Sequence, residues 1–295
     1  MKDIRHVFSD RAIRSGLNSI MTQDDIRALK QDITETVLPN LRGREFLPIN
    51  LVEKNAEFFG FWLETQMQDA IIGGRRTSAL TKDELKETLQ TLVPIPMLRR
   101  PFEIYTTDLF AKSNAKERSA KSAARQVSEG ENDLIYNGAT YPVVNGLLGA
   151  AGNSQAASSV WSAVPGTAIP YEDSNNLIAL NEADGFMGPY IMAVDPINLG
   201  EMRKREVVAG GSARSQLELI LAGLPIQKVI GDPSMTHGTP IIMQPGDPNS
   251  VLTVAEDITV EFFDMNIDHW IQGQVYERVA PVVFQANSVG KITGA

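Results

Sequence analysis

The chain has 295 residues, 43% of them hydrophobic and 21% charged, a globular balance that excludes collagen, coiled-coil rods and wholesale disorder. Cysteine is absent, which removes disulfide scaffolds, thiolate zinc sites and thiol nucleophiles. With 27 Lys plus Arg against 36 Asp plus Glu the net charge is −9, and tight nucleic-acid binding, which needs a basic surplus, is disfavoured. No apolar run approaches the roughly 20 residues that cross a bilayer. The stretch Met1 to His6 runs into charge rather than into the apolar core of a signal peptide, so the expectation is a chain with no membrane contact.

The first twenty residues have the character of an arm, with Arg5, Arg11 and Arg14 interleaved with Asp3 and Asp10 and few apolar side chains. A helix opens at Thr22, with Asp25 three residues on, follows the stripe Ile26, Leu29, Ile33, Val37 and Leu38, and stops at Pro39. From Phe46 the chain turns β-rich and aromatic, through Leu47, Ile49, Leu51, Phe58, Phe59, Phe61 and Trp62. Gly73-Gly74-Arg75-Arg76 makes a basic turn, and Thr81 with Glu84 opens a short helix carrying Leu85, Leu89 and Leu92. Pro94, Pro96 and Pro101 keep the stretch 93–105 extended. Together these segments form a long two-stranded excursion. A hairpin cannot bury four aromatic rings alone, so the core of its own domain or another subunit must cover Phe58, Phe59, Phe61 and Trp62. Arg75 and Arg76 at the far end are the candidates for meeting acidic residues on a neighbour.

The strongest helix runs from Asn114 to Asn137, with Asn114 and Glu117 as a capping pair and Gly138 where a left-handed C-cap belongs. Ala120, Ala123, Ala124, Val127, Leu134 and Ile135 make its apolar face. Its charges run against the macrodipole: Lys112, Lys116, Arg118, Lys121 and Arg125 at the start, Glu129, Glu131 and Asp133 at the end. Groups outside the helix, on a neighbouring subunit or in solvent, are expected to compensate, which makes Lys116 and Lys121 assembly candidates.

The Gly/Ala/Ser/Asn-rich stretch 138–176 is predicted to be a surface loop; Gly146, Gly149 and Gly152 have the wrong spacing for a dinucleotide fingerprint. There follow a helix over 173–184, a buried strand Tyr190–Val194 closed by Asp195-Pro196, a helix or turn over 197–205, a helix over 215–221, strands over 226–230 and 240–243, and a turn at Pro245-Gly246-Asp247-Pro248. The last fifty residues are β: one strand through Val251, Leu252 and Val254, a second through Ile258, Val260 and Phe262, and a final one from Val275 to Phe284 interrupted by Pro281.

Catalytic signals fail one by one. The three histidines, His6, His237 and His269, lie in no zinc-protease pair. Asp264, Asn266 and Asp268 imitate a calcium loop, but the required glycine is His269 and the closing acid is Val275. Gly290-Lys291 lacks the phosphate-loop spacing, and no nucleophile elbow exists. The expectation is a non-enzyme with no cofactor and no metal.

The segments Glu129-Gly-Glu-Asn-Asp133-Leu-Ile-Tyr-Asn-Gly138, Gly146-Leu-Leu-Gly149, Gly188-Pro-Tyr-Ile-Met-Ala-Val194 and Leu252-Thr-Val-Ala-Glu-Asp257-Ile-Thr-Val260, in that order, resemble the HK97-fold shell proteins shared by tailed-phage major capsid proteins and encapsulins. The resemblance implies an α+β fold in four parts: an N-terminal arm and helix over 1–45, an extended loop over 46–95, a peripheral domain with the long spine helix over 96–138 and 248–295, and an axial domain over 139–247. It implies self-assembly as pentamers and hexamers into an icosahedral shell. The stretch before Thr22 and the tail after Val283 favour a phage capsid enclosing DNA, found in the virion and assembled in the host cytoplasm. An encapsulin-type nanocompartment around a cargo enzyme is the alternative. A separate scaffolding protein, a portal or a decoration protein are the implied further partners. Contact with packaged DNA should be weak, because an acidic wall lets DNA slide. Lys54, Lys82 and Lys86 fall in the loop region but match no cross-linking motif.

Overall fold

The computed structural model describes residues 31, 33, 35–54, 56–62, 90–105, 115–161, 170–206, 214–246, 249–263 and 270–295. Most of the helix expected from Thr22, the basic turn at Arg75 and Arg76, and the segment Asp264–His269 lie outside these residues. So does the short helix expected from Thr81 as far as residue 89, but its last position, Leu92, is in a strand, paired across to Gly60, and not in a helix. The architecture is mixed α+β, built on two principal sheets.

The first sheet has four strands in the order β1-β13-β14-β4, where β1 is Ile49–Leu51, β4 Met97–Tyr105, β13 Ser250–Phe262 and β14 Trp270–Val283. β1 runs parallel to β13; the other two pairings are antiparallel. The sequence suggests two strands where β13 is one strand of 13 residues. Glu256 and Asp257, which look like a break, sit at irregularities in the ladder. Each has a partner: Tyr276 donates to Glu256 at 2.9 Å, and Asp257 accepts from Arg44 at 2.8 Å. Pro281 is likewise inside β14, opposite Leu252. The pairing with β4 ends at Arg278, so the missing amide of Pro281 is tolerated where that ladder has stopped.

The long helix α1, Ala115–Asn137, lies across this sheet. Its small face, Ala120, Ala123, Ala124 and Val127, packs on Phe102, Ile104, Val260 and Val275. Alanines let helix and strands approach closely, while the rings of Phe102 and Phe262 meet edge to face at 5.9 Å. At about 1.5 Å per residue the helix is roughly 35 Å long and reaches past the sheet. Its last turn, Leu134, Ile135 and Tyr136, enters a second cluster with Ala193, Ile241 and Met243.

Those residues belong to the second sheet, five strands in the order β11-β8-β12-β15-β7. Here β7 is Asn153–Ala156, β8 Tyr190–Val194, β11 Ile226–Gly231, β12 Ile241–Met243 and β15 Val289–Thr293. Helices α3, Pro170–Ala183, and α5, Gln216–Gly223, cover Met192, Val194 and Ile292 with Leu177, Ile178 and Ile220. Both α5 and the short α4, Pro196–Arg203, begin as local rules require. Ser215 and Glu218 close a capping box, and Asp195 accepts from the amides of Ile197 and Asn198 ahead of Pro196.

Two parts of this sheet differ from the expectation. The stretch 138–176 is not a plain loop. It holds the hairpin β5–β6, Gly138–Thr140 and Val143–Asn145, the single turn α2, Leu147–Ala150, and then β7. Gly138 has φ +80°, and a Cβ on it would lie 2.2 Å from the carbonyl oxygen of Val144, so the hairpin closes against the helix end only with glycine there. The chain end also departs from the reading. β15 lies between β12 and β7, not with the strands that precede it. Its Gly290 faces Leu177, whose Cδ1 would be 2.7 Å from an added Cβ, so α3 rests directly on the strand backbone.

Candidate assembly surfaces and the junction of the sheets

The base of the excursion is an antiparallel pair, β2 Phe58–Trp62 and β3 Gln90–Pro94, in register from Phe58 opposite Pro94 to Trp62 opposite Gln90. The aromatic residues do not all crowd one side, because successive side chains of a strand alternate. Phe59 and Phe61 face their own chain: Phe61 meets Phe284 edge to face at 4.9 Å, and Phe59 lies 6.5 Å from the same ring. Phe58 is on the other face and 58% exposed. The side chain of Trp62 lies outside the described residues.

Other large apolar side chains stay uncovered nearby. Leu92 on β3 and Ile49 and Leu51 on β1 are more than half exposed, and Tyr141 at the tip of β5–β6 is 95% exposed. A groove of about 250 Å³ separates β3 from β6 and the end of β14, lined by Phe61, Leu92, Val143, Pro281 and Val283.

The charges of α1 are handled differently from the expectation. Arg125 pairs with Glu129 along the helix at 2.7 Å, and Asp133 accepts from Asn137. Glu131 is fully buried, and its partner comes from the same chain: Arg44, in the 3-10 turn Arg42–Glu45, donates Nε to Oε1 at 2.8 Å and Nη2 to Oε2 at 2.9 Å. Arg44 also reaches Asp257 at 2.8 Å and Glu277 at 3.4 Å. Lys121 is half-buried in the first half of the helix, and the side chain of Lys116 lies outside the described residues.

One cation thus faces two wholly buried carboxylates and one exposed one. Burial raises Glu277 well above the usual carboxylate range, and Glu131 beside it raises it further, against the pull of Arg44. Burial works against the Arg44 charge, but the bonds to Glu131 and Asp257 prevail and its pKa rises. Nearby Tyr136, in the last turn of α1, is held well above its ordinary value by burial and by Asp232. The sequence did carry a signal for this site: Val275, Glu277 and Val279 share the inward face of β14, and an acid at that parity needs a partner.

His237 presents Nδ1 to Asp195 at 3.0 Å. Asp195 is already committed to capping α4, so the contact serves the turn rather than a reaction. His6 and His269 lie outside the described residues. Among the described residues no cluster of His, Asp and Glu is placed to hold a metal ion, and no helix is long and apolar enough to cross a membrane.

A long helix laid across one sheet, a separate pair of strands beside it and a second helix-covered sheet make up the HK97-type shell fold, and solved structures bear this out. The virus-like particle from Pyrococcus furiosus superposes with a TM-score of 0.64 at 14% identity over 90% of this chain and 98% of that one. The capsid of the Myoviridae phage XM1 gives 0.64 at 15% identity, covering 88% and 92%. The holo-SrpI encapsulin complex of Synechococcus elongatus PCC 7942 gives 0.60 at 13% identity, covering 88% and 89%. No curated protein matches by sequence. The family described as encapsulating protein for peroxidase matches residues 23–279, and the chain belongs to it. It is a shell-forming protein of the HK97 type.

Proposed function

We propose that this chain is the subunit of an encapsulin-type nanocompartment that encloses a protein cargo. The family match over residues 23–279 is the observation that carries the reading. It outweighs the stretches before Thr22 and after Val283 that suggest a phage head, because it covers most of the chain and the second of those stretches supplies β15 of the five-stranded sheet rather than an appended tail. A phage capsid is the second reading, supported by a likeness to the phage XM1 capsid as good as that to the virus-like particle.

In either case the subunits associate as pentamers and hexamers. The four-stranded unit with α1 serves as the peripheral domain, the five-stranded unit as the axial domain, and β15 goes with the axial one. The excursion lies over a neighbouring subunit, with Phe58, Trp62, Arg75 and Arg76 as contacts, and Lys116 and Lys121 meet acidic groups of an adjoining copy. Uncovered Leu92, Tyr141 and Phe58 support such packing. The role is structural and the site of action is the cytoplasm; a virion is the corresponding place under the second reading.

Electron microscopy of particles purified from their native source, followed by analysis of their contents, tests the proposal. Closed shells holding a folded protein and no genome-length nucleic acid are expected. Shells filled with DNA select the phage reading, and a monodisperse monomer at micromolar concentration refutes both.

A further inference from the structure

The turn Arg42–Glu45 makes polar contacts in two opposite directions. Toward the five-stranded sheet, Arg42 donates to the carbonyl of Gly231 and Glu45 accepts from Lys228, both on β11. Toward the four-stranded sheet and α1, Arg44 holds Glu131, Asp257 and Glu277. Asn132 of α1 ties the same stretch from below, accepting from the amide of Gly43 at 2.9 Å and donating to the carbonyl of Asn40 at 2.6 Å. Directly after the turn, Phe46 and Leu47 are buried in an apolar cluster that draws on both sheets. There is no room for slack: a Cβ on Gly43 would stand 2.6 Å from Ile135 Cδ1. Four successive residues therefore bridge the two halves of the subunit.

The weak point of this bridge is its charge balance. Glu131 takes both of its strong bonds from Arg44. Glu277 is fully buried, touches Arg44 only at 3.4 Å, and has its Oε1 against no donor. As a carboxylate it would be a second interior anion with an unmade acceptor. As a carboxylic acid it becomes a donor, and the carboxylate of Glu131 is the acceptor beside it.

We propose that residues 42–45 are a clasp between the two sheets, closed by a proton held between Glu277 and Glu131, and that loss of this proton opens it. The groups facing Glu277 come from each packed element: Glu131 from α1, Arg44 from the turn and Asp257 from β13. β4 opposes it with Leu98 and adds no charge. Tyr276 and Arg278 alternate to the other face of β14, where Tyr276 bonds Glu256. The direction follows from linkage. Burial and Glu131 raise Glu277 above its ordinary 4.5, so the closed form holds a proton that the open form releases. Opening the turn admits water to Glu277 and returns it toward its ordinary value, so the clasp is fully closed below the ordinary carboxyl range and is lost progressively as pH rises from there through the raised value Glu277 has in the closed form, levelling off above it. The turn, rather than the strand that carries Glu277 inside its ladder, is the element free to move. This device belongs to the subunit and does not depend on what the shell encloses.

The test follows amide hydrogen exchange of residues 38–47 in the full-length chain from about pH 4 to about pH 10, corrected for the intrinsic rate. In the unaltered protein the opening constant should rise by up to about tenfold per pH unit between the open-form and closed-form values of Glu277 and level off above the latter. In Glu277→Gln, which keeps shape and donor but cannot ionise, it should stay flat. Arg42→Met cuts one of the two contacts to β11 and leaves Arg44 in place, and should raise exchange at every pH without changing the slope. Infrared spectroscopy supplies the second readout: a buried protonated-carboxyl band that persists above the ordinary carboxyl range and is absent from Glu277→Gln. If Glu277→Gln does not fold, titration of the unaltered protein decides, since the band must fade at the pH where the fall in protection of 38–47 levels off. No protonated-carboxyl band above the ordinary carboxyl range, a pH-independent turn, or an unchanged slope in Glu277→Gln overturns the proposal.

Discussion

Arg44→Met removes the guanidinium while keeping most of the volume of the stem, and it isolates the electrostatic role of that residue. Three of its contacts are 2.8 to 2.9 Å long: two to Glu131, whose side chain is 0% exposed, and one to Asp257, whose side chain is 68% exposed. The exposed partner regains water, so its share is under about 1 kcal/mol. Glu131 has no such recourse. Removing one member of a buried pair and leaving the other charged costs about 3–5 kcal/mol. At about 2 °C per kcal/mol, the low end suited to a chain of this size, the melting point should fall by roughly 6–10 °C. Thermal unfolding followed by circular dichroism measures it, with Glu131→Gln and the double variant completing a cycle. The double variant should recover most of the loss, because the buried carboxylate that Arg44 binds most closely is gone as well. A melting point for Arg44→Met within about 1 °C of the parent would refute the claim that Arg44 neutralises the end of α1, and additive single and double effects would refute the pairing with Glu131.

Three further outcomes are expected. Replacing residues 63–89 by a short Gly/Ser turn, which the pairing of Trp62 with Gln90 makes geometrically feasible, should leave the circular dichroism and melting unchanged and abolish closed particles in electron micrographs; normal shells would show that the excursion plays no part in closure. Leu92→Ser with Tyr141→Ser should alter the melting point of the dissociated subunit little, since both side chains are exposed, yet raise the concentration needed for assembly measured by light scattering. Gly138→Ala should destabilise by about 1–3 kcal/mol in urea unfolding, from strain at φ +80° and a contact with backbone that cannot yield; a neutral result would mean that the hairpin shifts freely.

Some features of this protein are written in a few neighbouring residues. α1 is legible from its alanine stripe and Gly138 after it, and its described span, Ala115–Asn137, ends at the expected residue; Asn114 lies outside the described residues. Ser215 with Glu218 announces α5, Asp195-Pro196 announces α4, and the apolar run Tyr190–Val194 announces β8. Capping, periodicity and turn chemistry act over one or two turns of chain, so one sequence suffices to see them. Tertiary structure decided the rest. β7 is the polar run Asn-Ser-Gln-Ala, with no alternation to betray it, and it is a strand because β15 lies alongside. β13 stays continuous through Glu256 and Asp257 only because Tyr276 and Arg44 meet them. The alternation of β2 gives Phe59 and Phe61 to Phe284 and leaves Phe58 bare, which the cluster of aromatic letters does not reveal. The junction is the extreme case: Arg44 meets Glu131 87 positions away and Glu277 233 positions away. A buried charge can be neutralised by any opposite charge that folding brings within about 4 Å, and which one arrives is settled by the packing of helix and sheets, not by spacing along the chain.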